Sequence, residues 1–247
     1  MKRRLVAFFS GRAPIYILLC LSLMLGVLGT ALGVAPIMRK DEAVLTPGAL
    51  YDEVLPSCVS VLAYPADSDK HTESGSGFFI NTEGVLATAY HVIRGAERVS
   101  VRTSDKEYHE VVAVLGYDEA LDVALLKIDL ADTKPVNVAD GTGAVGDTIY
   151  AVGRYLGADF TFTTSVIAGI DDRFVSRPGR VMIRYCHLAQ VGNSGGPVFD
   201  EHGRLLAMCQ LQESAVDGSL QWGLVASLVY SVPMDKNMTV AELSAAQ

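Results

Sequence analysis

Beyond its first twelve residues the sequence has no cluster of lysine or arginine. Acidic side chains outnumber basic ones over the whole chain, 28 to 20, for a net charge of −8. With Lys2, Arg3, Arg4 and Arg12 set aside, residues 13–247 carry −12. That balance argues against nucleic acid as a partner and against lying flat on an anionic membrane, since both need a basic face. His71, His109, His187 and His202 show no paired ligand spacing, so no metal site is expected, and nothing implies a cofactor. Cysteines are few: Cys58, Cys186 and Cys209 are the three outside the N-terminal apolar run, and at most two of them can pair within one chain. Helical periodicity is missing until the tail near Val240 to Ala246, and the two halves share no repeat. What remains is the pattern of an all-β chain.

The longest feature present is an uncharged run from Ala13 to Met38. A bilayer core of about 30 Å needs about 20 helical residues, so this run is long enough to span. It reads as a transmembrane signal anchor. Lys2 to Arg12 outweigh Arg39 and Lys40, which keeps the N-terminus cytoplasmic and puts everything after Lys40 outside, periplasmic or extracellular. A cleaved signal peptide is the alternative, but the run exceeds the usual h-region, and Gly33-Val34-Ala35 is followed by Pro36, a poor cleavage context. Cys20, preceded by Leu19, reads as an apolar residue of the span rather than a lipid-attachment site. Residues 1–40 are thus a basic stub with its anchor, and 41–56 a juxtamembrane linker with a turn at Thr46-Pro47-Gly48 and a short helix near Tyr51 to Leu55.

Short apolar or alternating runs then recur at the interval of an all-β barrel or sandwich. They are Cys58 to Tyr64, Gly77 to Ile80, Gly84 to Ala89, Val99 to Thr103, Glu107 to Tyr117, Val123 to Ile128, Thr148 to Gly153, Phe160 to Ile170, Val181 to Cys186, Pro197 to Phe199, Leu205 to Gln210 and Trp222 to Leu228. Turn chemistry joins them at Asn81-Thr82-Glu83-Gly84, Arg177-Pro178-Gly179 and Asp200-Glu201-His202-Gly203. The polar stretch Asp129 to Gly146 divides the strands into two groups of about six.

The chemistry concentrates in Gly192-Asn193-Ser194-Gly195-Gly196-Pro197. Flanking glycines can take backbone angles closed to other residues, so amide N–H groups can converge beside the Ser194 hydroxyl. Acyl transfer needs this pairing of an oxygen nucleophile with donors aimed at the oxyanion. Taken alone such a turn is more often a plain loop. Its company lies upstream: His91, at the end of an apolar run, and Asp122, opening a buried strand, residues that singly read as structural or capping.

The order His, Asp, Ser is that of chymotrypsin-type enzymes, not of subtilisin or the α/β-hydrolases. The chain resembles a trypsin-like serine peptidase of the HtrA (Deg) group. Five blocks carry the resemblance: Ser74-Gly75-Ser76-Gly77-Phe78-Phe79-Ile80, Thr88-Ala89-Tyr90-His91-Val92-Ile93, Leu121-Asp122-Val123-Ala124-Leu125-Leu126-Lys127-Ile128, Ala151-Val152-Gly153 with the later Thr163 to Ile170, and the block around Ser194. It runs from about Tyr51 to about Pro233. Ala89 stands where the group usually has asparagine, and the peptide-binding PDZ domain common in the group is not expected here.

The resemblance implies two six-stranded antiparallel β-barrels, about 57–130 and about 146–233 within a protease domain at 57–233, followed by a tail at 234–247. It implies a His91–Asp122–Ser194 triad in the cleft between them. The oxyanion hole falls on the Gly192-Asn193-Ser194 segment, with the N–H groups of Gly192 and Ser194 as donors. Leu188, six residues before the nucleophile, takes the base of the S1 pocket, or else faces the barrel core. An apolar base would leave a buried lysine or arginine unpaired, so cleavage after small or medium aliphatic residues is expected. The disulfide of many trypsin-like enzymes would fall on Cys186 and Cys209, the alternative being three buried thiols. Protein or peptide substrates, and a homo-oligomer (a trimer in that group), are expectations of resemblance alone. The expected role is extracytoplasmic quality control or regulated proteolysis. The rival readings are a catalytically silent binding or sensing module and a purely structural membrane-anchored β-domain.

Overall fold

The computed structural model describes residues 43–171, 181–186, 192–210 and 220–247. The anchor expected at 13–38 lies outside them; among the described residues no helix is long and apolar enough to cross a membrane.

Six strands form the first barrel: β1 (Cys58–Tyr64), β2 (Glu73–Phe79), β3 (Val85–Thr88), β4 (Arg98–Arg102), β5 (Tyr108–Asp118) and β6 (Val123–Ile128). They are antiparallel throughout, in the closed order β1-β2-β3-β6-β5-β4, with β4 returning to β1. Strand β6 shows why its sequence reads as apolar apart from Lys127. Successive side chains point to opposite faces. Ala124, Leu126 and Ile128 fill the barrel with Val61, Phe79 and Val101, while Val123 and Leu125 face an apolar cluster outside it.

After β7 (Asn137–Val138) come β8 (Thr148–Tyr155), β9 (Ala158–Asp171), β10 (Met182–Cys186), β11 (Pro197–Phe199), β12 (Arg204–Gln210) and β13 (Leu220–Val225). Their order is β11-β8-β9-β10-β13-β12, and the β11–β12 pairing closes a second six-stranded antiparallel barrel. Strand β7 adds a short parallel edge to β12. Ile149, Ile167, Ile183, Tyr185, Val198 and Leu206 are among the residues filling this barrel.

Between the barrels runs the third cluster, to which both contribute: Phe78, Ala87, Val123 and Leu125 from the first, Val152, Met182, Phe199 and Met208 from the second. Strands that serve a barrel interior on one face and the seam on the other therefore bury both faces. Segment 44–56 also belongs here. Thr46 accepts the Ala49 N–H and Pro47 occupies the first helical turn of α1 (Pro47–Val54), a start favoured because proline lacks the donor that position leaves unused. Leu50 and Val54 of that helix are buried in the seam.

A short helix, α2 (Tyr90–Ile93), follows β3, and the strand expected over Trp222 to Leu228 divides in two: β13 ends at Val225 and Ala226–Val229 forms a short helix, α3. Strand β2 begins at Glu73, ahead of its apolar run, because the pairing with β1 continues through Ser76, Gly75 and Ser74 to Glu73 opposite Ala63. In the tail, Thr239 and Glu242 form a reciprocal capping box for α4 (Val240–Ala245), whose Val240 and Leu243 pack into the barrel-one cluster.

Candidate active site

Asp122 sits between β5 and β6, and its conformation is unusual. Its φ is +58°, in the left-handed region where aspartate and asparagine are among the few side chains tolerated. Held that way, one carboxylate takes two N–H groups from the same residue. Oδ2 lies 2.8 Å from His91 Nδ1, and Oδ1 accepts the His91 main-chain N–H at 2.9 Å. The Asp122 carbonyl also accepts the Tyr90 N–H at 3.2 Å. The first turn of α2 is thereby tied to the head of β6. A carboxylate only accepts, so Nδ1 carries the hydrogen and Nε2 is left as the basic nitrogen. The imidazole is 39% exposed and the carboxylate 13%, so the ring is open to a reactant while its partner is shielded from competing water.

Ser194 is brought to the same seam by its backbone. Its carbonyl accepts the Ser76 N–H at 2.8 Å from barrel one, and the next amide, Gly195 N–H, donates to the Cys209 carbonyl at 2.8 Å in barrel two. Ser76 Oγ–H donates to the Gly192 carbonyl at 2.8 Å, and Gly196 N–H donates to the Asn193 carbonyl at 2.9 Å. Three consecutive peptide planes from Gly192 to Gly195 are therefore fixed. Gly192 has φ +105° and Gly195 φ +83°. At Gly195 a side chain is barred twice over: a Cβ would meet the Ser76 carbonyl, and would lie 2.5 Å from Thr88 Oγ1 and 2.6 Å from the Ala89 N. The chain beside Ser194 thus lies against the strand end that leads into His91. Among the described residues no acceptor takes the Ser194 N–H, although Ser194 is buried. An unspent buried donor is costly unless something arrives to use it.

Comparison with known proteins gives the family of the chain. Residues 75–208 match the model of the trypsin-like peptidase domain. The chain belongs to the trypsin-like peptidase family. Among curated proteins this peptidase domain is similar to chloroplastic Protease Do-like 1 of Arabidopsis thaliana, 34% identical over 69% of the chain and 42% of that protein. It is also similar to a probable periplasmic DegP-like serine endoprotease of Pseudomonas savastanoi, 31% identical over 71% of the chain and 36% of that protein. The chain therefore spans well under half the length of these two relatives. A solved serine endoprotease from Yersinia pestis shares the fold with a TM-score of 0.65, at 23% identity over 76% of this chain and 65% of that one.

The peptidase domain also holds a residue that sequence reading passed over. Gln210, at the end of β12, is 2% exposed and donates from Nε2 to the Leu121 carbonyl at 2.5 Å, with the Asp122 carbonyl at 3.5 Å. It ties barrel two to the backbone that presents Asp122. A polar residue ending the apolar run Leu205 to Cys209 was the available signal. The disulfide implied by resemblance is not formed, because Cys209 is a free, buried thiol, as is Cys58. Burial pushes the Cys209 thiol up to about 12, partly relieved by its hydrogen bond with Tyr185, and burial raises Cys58 further. Neither is poised as a nucleophile, which must be thiolate. Among the described residues no group of three His, Cys, Asp or Glu side chains is arranged to hold a metal. Leu188 lies outside the described residues.

Proposed function

We propose that this chain is a serine endopeptidase, anchored by its N-terminal apolar run and acting outside the cytoplasm. The observation that carries this reading is the double grip of Asp122 on His91, which fixes both the place and the tautomer of the imidazole. His91 Nε2 takes the proton from Ser194 Oγ as that oxygen bonds to a peptide carbonyl carbon. The carbonyl π pair moves onto oxygen, and the N–H groups of Gly192 and Ser194 receive the oxyanion. Asn193 between them supplies the carbonyl that locks the Ser194 peptide plane. The tetrahedral adduct then expels the amine, to which His91 returns the proton. Water repeats the sequence on the acyl-enzyme. Asp122 stays ionised throughout and stabilises the imidazolium. Proton transfer of this kind contributes about 10² to 10⁴ in rate, and each oxyanion donor about 3 to 4 kcal/mol at the transition state.

Leu188 forms the base of the S1 pocket in this reading, so cleavage follows small or medium aliphatic residues; a peptide panel that instead favours Arg or Lys at P1 refutes that part. The whole is tested with the full chain in mild detergent, wild type against Ser194→Ala. Wild type should take up a fluorophosphonate probe and degrade casein, and the variant should do neither. A well-folded wild type that is neither labelled nor active makes the domain a binding or sensing module instead.

A further inference from the structure

The β8–β9 hairpin carries a charged cluster that the reaction itself does not use. Asp159 is 11% exposed and receives three donors: Ser60 Oγ at 2.8 Å, Arg102 Nη1 at 2.5 Å and Arg154 Nη1. Ser60 and Arg102 belong to barrel one, Arg154 and Asp159 to barrel two. Two cations meet one anion with little water nearby, so the carboxylate is what permits both guanidiniums to be there. The next residue, Phe160, has φ +57°, an outlier for a bulky side chain that persists only where surroundings over-determine it.

What matters is what adjoins the cluster. Cα partners across the strands run Arg102 to Ser60 and Ser60 to Ser76, and directly paired residues face the same side of a sheet. Barrel one thus presents a row, Arg102, Ser60, Ser76, to barrel two. The row meets Asp159 at its first two members and Gly192 at its third. Arg154 closes the circuit: its side chain binds Asp159, while its own N–H donates to Ser76 Oγ at 2.8 Å. With that lone pair occupied, the Ser76 hydroxyl hydrogen is free to point at the Gly192 carbonyl. The Arg154 carbonyl lies against Gly192 as well, 2.6 Å from where a Cβ would sit.

We infer that Asp159, with Arg102 and Ser60, is a positioning site that holds the Gly192–Ser194 loop with its donors aligned, acting through Arg154 and Ser76. Asp159 touches no reactant. Without it the two guanidiniums repel, the end of the β8–β9 hairpin moves, and Arg154 N–H leaves Ser76, freeing the Gly192 carbonyl to turn. Preorganised donors act on the transition state more than on bound substrate, so the loss should appear in turnover rather than in binding. The catalytic part of this inference rests on the proposed peptidase activity.

The test compares the full-length wild type with Asp159→Asn, Ser60→Ala, Arg102→Met and Arg102→Lys. Hydrogen exchange of the 192–196 amides, peptide kcat and KM, and inhibition by a peptide boronic acid are measured on each. For Asp159→Asn the expectation is at least tenfold faster exchange at 192–196 with α2 unchanged. Turnover should fall about 10- to 100-fold with KM within about threefold, and boronate affinity should fall in proportion. Arg102→Lys should recover part of what Arg102→Met loses. If Asp159→Asn does not fold, Ser60→Ala, which removes one of three contacts, carries the same test at about three- to tenfold. Unchanged exchange in a folded variant, or full turnover, overturns the inference. A wild type inert to substrate and fluorophosphonate sinks the peptidase reading, while the exchange comparison still decides the coupling.

Discussion

Replacing Asp122 by asparagine separates the electrostatics of the site from its architecture. Asparagine is isosteric and tolerates the φ of +58° that Asp122 adopts, whereas alanine would add a left-handed backbone cost of about 1–2 kcal/mol and blur the result. Asp122 accepts twice from His91, through Oδ1 from the main chain at 2.9 Å and through Oδ2 from Nδ1 at 2.8 Å. An amide has one acceptor. If it keeps the main-chain bond, its NH₂ faces Nδ1 and donates to it. The ring hydrogen then moves to Nε2, the nitrogen that accepts the serine proton in the proposed mechanism. If the amide flips, two N–H groups oppose each other and a buried donor goes unpaired, at about 1–3 kcal/mol. The first arrangement costs less and leaves the wrong tautomer. Its price in turnover is about 10⁴, the value known for this substitution in a Ser-His-Asp enzyme, or about 5.4 kcal/mol in the barrier at 1.36 kcal/mol per tenfold. Thermal unfolding should move by only a few degrees. The assay is kcat on a fluorogenic peptide beside a melting curve. Activity within tenfold of wild type at an unchanged melting temperature would refute the assigned role of Asp122.

Two further outcomes follow from the same contacts. Gly195→Ala forces a Cβ against the Ser76 carbonyl, Thr88 Oγ1 and the Ala89 N at φ +83°, so chemical denaturation should show a loss of about 2 kcal/mol or more, and a variant as stable as wild type would mean the loop docks differently. For Asp159, burial raises the carboxyl pKa, but hydrogen bonds from Ser60 and Arg102 and the charge of Arg154 outweigh it and leave the pKa lowered. A depressed carboxylate contributes stability that is fully present above its unfolded value of about 3.9 and is lost as pH falls through the folded one. The acid limb of the stability profile below about pH 4 should therefore flatten in Asp159→Asn, while an unchanged limb would show that Asp159 titrates as an exposed carboxyl.

Local chemistry made much of this protein legible before any tertiary contact was known. Runs such as Val123 to Ile128 and Pro197 to Phe199 coincide with β6 and β11, because residues buried on both faces leave no polar alternation to misread. Thr46-Pro47-Gly48, by contrast, read as a turn and opens a helix, since the same residues serve both ends and only the burial of Leu50 and Val54 chooses between them.

The amino-acid order alone determined the kind of chain and the two groups of strands, and it singled out His91, Asp122 and Ser194 as candidates for acyl transfer, since composition, period and turn chemistry are properties of neighbours. Tertiary structure alone decided that Asp122 grips His91 twice, that Gln210 braces it from the other barrel, that Cys209 stays a thiol, and that Arg102, Ser60 and Ser76 line up beside Asp159. Each of those depends on strand register and on the seam between barrels, where partners dozens of residues apart meet, and no local pattern encodes such a meeting.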